Sequence, residues 1–333
     1  MKTIYLTILF LVLSACAVSE SYESQLSTSF HTGQGKEQGA LGVFKSDNSG
    51  FDTKTFFYDS GEEIVVFDTQ FTPALAEDFL TYIRSQSDSV ISHVVITHPN
   101  PDKFNGISVF QNLGAKIVAS KKTADAMPGV HAYKKQFFVG AGMFTKESYP
   151  TLGSIDVTFE EEFEIVLSGG DRVKLKELGA PGVSSNQTVA YIEKTNSLIV
   201  GDLIHHKAHA WLEGGIVEGS AAPSLASWKN LVQSLESVSG SSKSLVYGGR
   251  GEVDSLDVVA AAQVKYLQTA DQLVENYLTI NRLNVEDFSS NDVANSHYAK
   301  ITKEFENKFP EYELSYMIQF GVYGLVFQKL ASR

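Results

Sequence analysis

Short apolar runs dominate the start of the folded part of the chain. Ala40 to Phe44, Thr55 to Tyr58 and Glu63 to Phe67 are β-branched and aromatic and are punctuated by Ser-Gly pairs, as antiparallel strands joined by turns should be. The period then changes. Thr72-Pro73 opens a helix through about Arg84, with Thr at the N-cap and Pro at the first position. Val94-Val95-Ile96 is too short and too β-branched for a buried helix, so it reads as a strand that runs into Thr97-His98-Pro99-Asn100-Pro101-Asp102-Lys103. Pro99 and Pro101 forbid regular structure immediately after it. A helix from Phe104 to Leu113, closed by Gly114, and a strand from Lys116 to Ala119 complete a βαβ alternation typical of a layered α/β fold.

The second half repeats the theme. Strand-like Ile155 to Phe159, Glu164 to Leu167, Arg172 to Leu178, Thr188 to Ile192 and Ser197 to Val200 precede a helix from about Leu225 to Val238. From Ser255 the pattern is helical: Val258, Val259, Ala262, Val264, Leu267, Ala270 and Leu273 recur at near-helical spacing, with Asp254 or Ser255 as the cap. Met317 to Leu330 is apolar on too many sides for a solvent-facing helix, which leaves packing against the main body or self-association.

Composition adds limits. The chain has 333 residues, a formal charge of −12 and a single cysteine, Cys16. Intrachain disulfides and thiolate metal ligands are therefore impossible, and so acidic a chain is not a nucleic-acid binder. Met1-Lys2 and the apolar run from Ile4 to Leu13 read as a secretory signal over residues 1–15, and Leu13-Ser14-Ala15-Cys16 resembles the bacterial lipobox. That resemblance implies acylation of Cys16, and Ala17 after it implies an outer-membrane address, on the periplasmic face of the cell envelope. Residues 16–38, rich in Ser, Glu, Gln, Thr and Gly, read as a tether that buries too little apolar surface to order itself.

The loop after Val94-Val95-Ile96 is the first place to look for function, because ligands of α/β proteins gather at strand ends. One imidazole, one amide, one carboxylate and one ammonium stand there within six residues, although polar residues with Pro and Asn are also ordinary turn chemistry. The stretch resembles the metal-binding loop of the metallo-β-lactamase superfamily, Thr-His-x-His-x-Asp-His-x-x-Gly: Thr97, His98, Asp102 and Gly106 match, while Asn100 and Lys103 stand where two further His belong. Later landmarks extend it. Val183 replaces a ligand His in Ala180-Pro181-Gly182-Val183-Ser184, Asp202 keeps the bridging carboxylate of Gly201-Asp202, and Arg250 replaces the last His in Gly248-Gly249-Arg250-Gly251. The resemblance implies a four-layer αββα sandwich over residues 39–267, with a C-terminal helical extension over 268–333 packed on it. It also implies that His98, Asn100, Asp102, Lys103, Val183, Asp202 and Arg250 converge at one edge as a ligand pocket, which His209 could join.

Three of the family's ligands remain: His98, Asp102 and Asp202. An ammonium has no lone pair and repels a dication, so the expectation is a non-catalytic protein without a metal cofactor that binds a small molecule or protein partner. Lys103 and Arg250 would then neutralise Asp102 and Asp202 as an internal salt-bridge cluster in place of the zinc pair. The alternative is a hydrolase of ester, lactone or β-lactam-like substrates with one zinc ion on His98, Asp102 and Asp202, in which Asp102 and Lys103 carry the chemistry and Lys103 or Arg250 stabilises an oxyanion. His205 and His209, four apart, could rebuild a metal site around Asp202 if they lay on a helix, but Gly214-Gly215 argues for a loop. His31, His93, His131 and His297 read as surface or core residues. Ser184-Ser185 lacks a Gly-x-Ser-x-Gly elbow and reads as a turn.

Overall fold

A computed structural model describes residues 29–32 and 40–333; the leader, Cys16 and nearly all of the expected tether lie outside the described residues. The first sheet runs in chain order: β1 (Ser29–Thr32), β2 (Ala40–Lys45), β3 (Lys54–Asp59), β4 (Glu63–Phe67), β5 (Val90–Ile96), β6 (Lys116–Ser120) and β7 (Val157–Phe159). Its early pairings are antiparallel, and those from β4 to β7 are parallel because helices supply the crossovers. These are α1 (Pro73–Gln86), the short α2 (Pro101–Phe104) and α3 (Ile107–Gln111), and α4 (Lys121–Gly140). The second sheet contains β8 (Glu162–Val166), β9 (Arg172–Glu177), β10 (Thr188–Ile192) and β11 (Ser197–His206). A small hairpin, β12 (Gly215–Val217) and β13 (Ser220–Ala222), and helices α5 (Leu225–Ser234) and α6 (Glu236–Ser239) lead to β14 (Leu245–Gly251) and β15 (Asp254–Ser255), which give the sheet order β15-β14-β11-β10-β9-β8. Helices α7 (Leu256–Ile280), α8 (Asn291–Lys308), α9 (Tyr316–Gly321) and α10 (Tyr323–Ala331) finish the chain.

Alternation along the strands builds the layers. On β3 and β4, Phe56, Tyr58, Val65 and Phe67 face the second sheet and pack with Leu175, Ile192, Ile199 and Tyr247, while Phe57, Ile64 and Val66 face Phe79 and Ile83 of α1. The outer face of the second sheet packs on α5 and α7, and the same apolar cluster continues into α8, α9 and α10. The result is the expected αββα sandwich with a helical C-terminal extension.

Local readings differ in instructive places. The helix expected from Phe104 to Leu113 is two short ones, because the backbone breaks at Asn105-Gly106, where a Cβ on Gly106 would stand 2.1 Å from the Thr69 carbonyl oxygen. Pro101 starts α2 instead of excluding it, since Pro suits the first helical position. Helix α4, capped by Ser120, was absent from the pattern because Pro128 lies inside it. β11 continues past Val200 to His206, and α7 crosses the expected 267/268 boundary without a break.

Candidate functional site

The site forms beyond the end of β5, at an irregularity within β11 and near the end of β14. β5 delivers Thr97 and His98, and the first turn of α2 delivers Asp102 and Lys103. β11 delivers Asp202 at a register shift beside Gly201, whose φ of +52° suits a residue without a side chain. β14 delivers Arg250. Beneath them, Asp68 accepts from Thr97 N and Oγ1, and Thr97 Oγ1 lies 2.9 Å from His98 Nδ1, which fixes the imidazole. Burial raises the Asp68 carboxyl to about 6, against the pull of Lys103 and His98.

At the centre are two carboxylates and two cations. Lys103 Nζ lies 2.9 Å from Asp102 Oδ2 and 2.8 Å from Asp202 Oδ1, so it bridges the acids. Arg250 bridges them again, with Nη1 at 2.7 Å from Asp202 Oδ2 and Nη2 at 3.1 Å from Asp102 Oδ2. Lys103 has no exposed surface, and the other three are buried. Burial pushes both carboxyls up, but Lys103 and Arg250 outweigh it and hold Asp102 below, and Asp202 well below, the usual carboxylate range. Burial also disfavours the two cations, yet the acids raise both Lys103 and Arg250 above their ordinary values. The arrangement demands a bare backbone opposite: a Cβ on Gly249 would meet Asp202 Oδ1 at 2.0 Å.

Each expected pocket residue has a definite place. Asn100, Asp102, Asp202 and Arg250 line a cavity of about 40 Å³, while His98 and Lys103 lie buried behind its surface. His98 Nε2 stands 3.7 Å from Asp202 Oδ2 and makes no hydrogen bond. Val183 and His209 are not brought into the cavity. Val183 packs in the apolar core of the second half, and His209 is enclosed by Tyr266, Phe305, Phe309 and Tyr312, with Nδ1 at 3.2 Å from the Tyr266 hydroxyl. His205 lies on β11, not on a helix, with Nε2 at 3.9 Å from Asp202 Oδ1.

Sequence reading missed several contributors. Thr53 Oγ1 accepts from Arg250 Nη2 at 2.8 Å and lies 3.0 Å from Asp102 Oδ2. Phe51, Phe71, Phe138, Trp211 and Met317 form the apolar walls. Lys134 enters from α4, pairs with Glu213 and lies over Trp211, and Glu213 also accepts from Trp211 Nε1 and the Tyr323 hydroxyl. Only the burial of a lysine at Met127, Val130, Lys134 and Phe138 spacing could have pointed to α4, and that spacing reads as an ordinary amphipathic face.

The donor set does not fit a dinuclear zinc centre. Zinc needs lone pairs, and the two groups placed against both carboxylates are an ammonium and a guanidinium. Among the described residues no group of three or more His, Cys, Asp or Glu side chains is placed to hold an ion.

Comparison with known proteins fits this architecture. The chain resembles a metallo-β-lactamase from Pontibacter korlensis at 20% identity and a TM-score of 0.53, over 73% of this chain and 99% of that one. It resembles the FIM-1 metallo-β-lactamase from Pseudomonas aeruginosa, solved in a mono-zinc form, at 14% identity and a TM-score of 0.52, over 73% of this chain and 96% of that one. At these identities the likeness is one of fold. No curated protein matches. The family model of the metallo-beta-lactamase superfamily matches residues 49–250, more than half of the chain and the segment that carries all four charged residues of the centre, so the chain belongs to that superfamily.

Proposed function

We propose that this protein is a non-catalytic member of its superfamily that binds a small ligand or protein partner, held at the cell envelope by a lipid on Cys16. One observation carries the reading: Lys103 Nζ and the Arg250 guanidinium bridge the same two carboxylates, so fixed protein cations neutralise charge that divalent ions would otherwise neutralise. No nucleophile is activated in this arrangement. Lys103 is raised as a base and fully occluded, which makes it a poor proton acceptor for bound water.

The test measures zinc and manganese in purified soluble protein, the melting temperature with added zinc, and turnover of ester, lactone and β-lactam reporters. The expected outcome is no bound metal, no zinc-induced shift and no turnover. Micromolar zinc that raises the melting temperature and supports hydrolysis abolished by Asp102→Ala would establish the one-metal hydrolase instead. For the anchor, Cys16→Ala should release the protein from membranes or leave it unprocessed, and unchanged sedimentation with membranes would defeat the lipid assignment.

A further inference from the structure

The hydrogen-bonding capacity left open at the cavity indicates what would bind. Arg250 has little to offer: Nε donates to the Phe51 carbonyl oxygen, Nη1 to Asp202, and Nη2 to Thr53 and Asp102, which leaves a single Nη1 N–H beside two neutralising carboxylates. Lys103 is sealed between the acids, and Lys134 is paired to Glu213. Asp102 differs. All its protein donors converge on Oδ2, whereas Oδ1 accepts from none of the described residues. The side chain keeps 11% of its surface exposed, and Oδ1 is the oxygen left to face solvent. The cavity therefore presents a carboxylate oxygen seeking a donor.

The walls favour a particular donor. Phe51, Phe71, Phe138 and Trp211 supply ring surfaces, and Met317 a polarisable thioether. One of these surfaces already holds an ammonium, since Lys134 Nζ stands 5.1 Å from the centre of the Trp211 ring. The cavity of about 40 Å³ admits a head group rather than a whole drug-sized molecule, with its mouth open to the remainder. We infer that the cavity is a recognition site for the ammonium head of a small primary amine with an apolar body, the head donating to Asp102 Oδ1 and the body lying along Phe51, Phe138 and Trp211. An anion would meet Asp102 Oδ1 and, among the described residues, only lining cations already paired with carboxylates, Arg250 with Asp102 and Asp202 and Lys134 with Glu213. The assignment rests on the metal-free reading of the centre, because an ion on Asp102 would take its place.

Trp211 reports on occupancy, since the only other tryptophan, Trp228, is buried in the core. The experiment titrates the intact protein with phenethylammonium, and with 2-phenylethanol and 3-phenylpropionate as neutral and anionic counterparts, following tryptophan fluorescence and melting temperature. Phenethylammonium should saturate the fluorescence change and raise the melting temperature, with the alcohol weaker by about tenfold and the carboxylate weaker still. Asp102→Asn should remove the preference for the cation over the alcohol. Should that variant fail to fold, Phe138→Leu tests the wall and should weaken phenethylammonium severalfold. No saturation by phenethylammonium, or equal binding of the alcohol or carboxylate, overturns the assignment. Metal analysis of the same sample separates the failures: bound zinc overturns the metal-free reading beneath it, whereas metal-free protein that ignores the amine overturns the amine site alone.

Discussion

Lys103 illustrates how strongly one side chain can be bound to its surroundings. Its ammonium is wholly enclosed and contacts two carboxylates within 3 Å, so Lys103→Met leaves Asp102 and Asp202 with Arg250 as their remaining bridging cation. Removing one partner from a buried ionic group costs about 3–5 kcal/mol, and the same loss is expected for Arg250→Met. Urea unfolding of the variants checks this, and a loss below about 1 kcal/mol would mean that the charges are not desolvated as the geometry requires. Acid tests a different set of groups. Burial pushes His205 and His209 down to about 4, so between roughly pH 6.5 and 4 the unfolded chain binds protons that the folded chain refuses, and stability falls as pH falls. Asp68, raised to about 6, works the other way, since its folded form takes up a proton first and stabilises on acidification through that window. Two imidazoles against one carboxyl leave a net loss. Asp102 and Asp202, held below the usual range, add their loss only at still lower pH. Unfolding free energies measured from pH 7 to 4 should therefore decline, and His209→Phe should make that decline shallower; an unchanged slope would show that His209 titrates normally.

At the scale of elements, the glycines mark where segments are pressed together. A Cβ on Gly324 of α10 would stand 2.4 Å from the Glu213 carbonyl oxygen, and one on Gly321 of α9 would stand 3.0 Å from the Trp211 ring. The C-terminal helices thus press directly on the loop that holds the cavity wall. Gly324→Val should lift α10 from that loop, lower the melting temperature by several degrees and move Trp211 emission to the red; an unshifted spectrum would show that the loop holds its place without α10. Much of this architecture was legible in the sequence for local reasons. β4 and β10 fall where expected because β-branched runs bounded by polar turns have one reading, and Thr72-Pro73 caps and starts α1 as such a pair should. Helix α4 was hidden because Pro128 interrupts the pattern and the stem of Lys134 occupies a place on the buried face. The four charged residues of the centre were legible because each belongs to a short motif, at an element end for Asp102, Lys103 and Arg250 and at the Gly201 irregularity inside β11 for Asp202. Thr53, Glu213 and Met317 were not, since nothing near them in the chain signals a partner far away in sequence, such as Asp102 or Lys134.

For the molecule as a whole, the question is whether the C-terminal extension is a separate body. The family match ends at residue 250, yet the core does not. Ile318, Val322, Leu325 and Val326 have no exposed surface and belong to the same apolar cluster as Leu198, Val200 and Leu203 of β11 and Trp228 of α5. Polar contacts cross the same seam: His209 N donates to the Glu313 carbonyl oxygen, Glu313 N to that of Lys207, and the Tyr316 hydroxyl to Asp52 at 3.0 Å. Opening the seam would expose large side chains on both sides at about 25 cal/mol per Å² of apolar surface, without a second complete core to hold either part. Sandwich and extension should therefore unfold together. In scanning calorimetry the protein should show one transition whose calorimetric and van't Hoff enthalpies agree, and a chain ended at residue 314 should lose the cooperative transition instead of melting at a slightly lower temperature. Two resolved transitions in the intact chain, or a shortened chain that still melts sharply with Trp228 buried, would show that the extension is an appendage rather than part of the core.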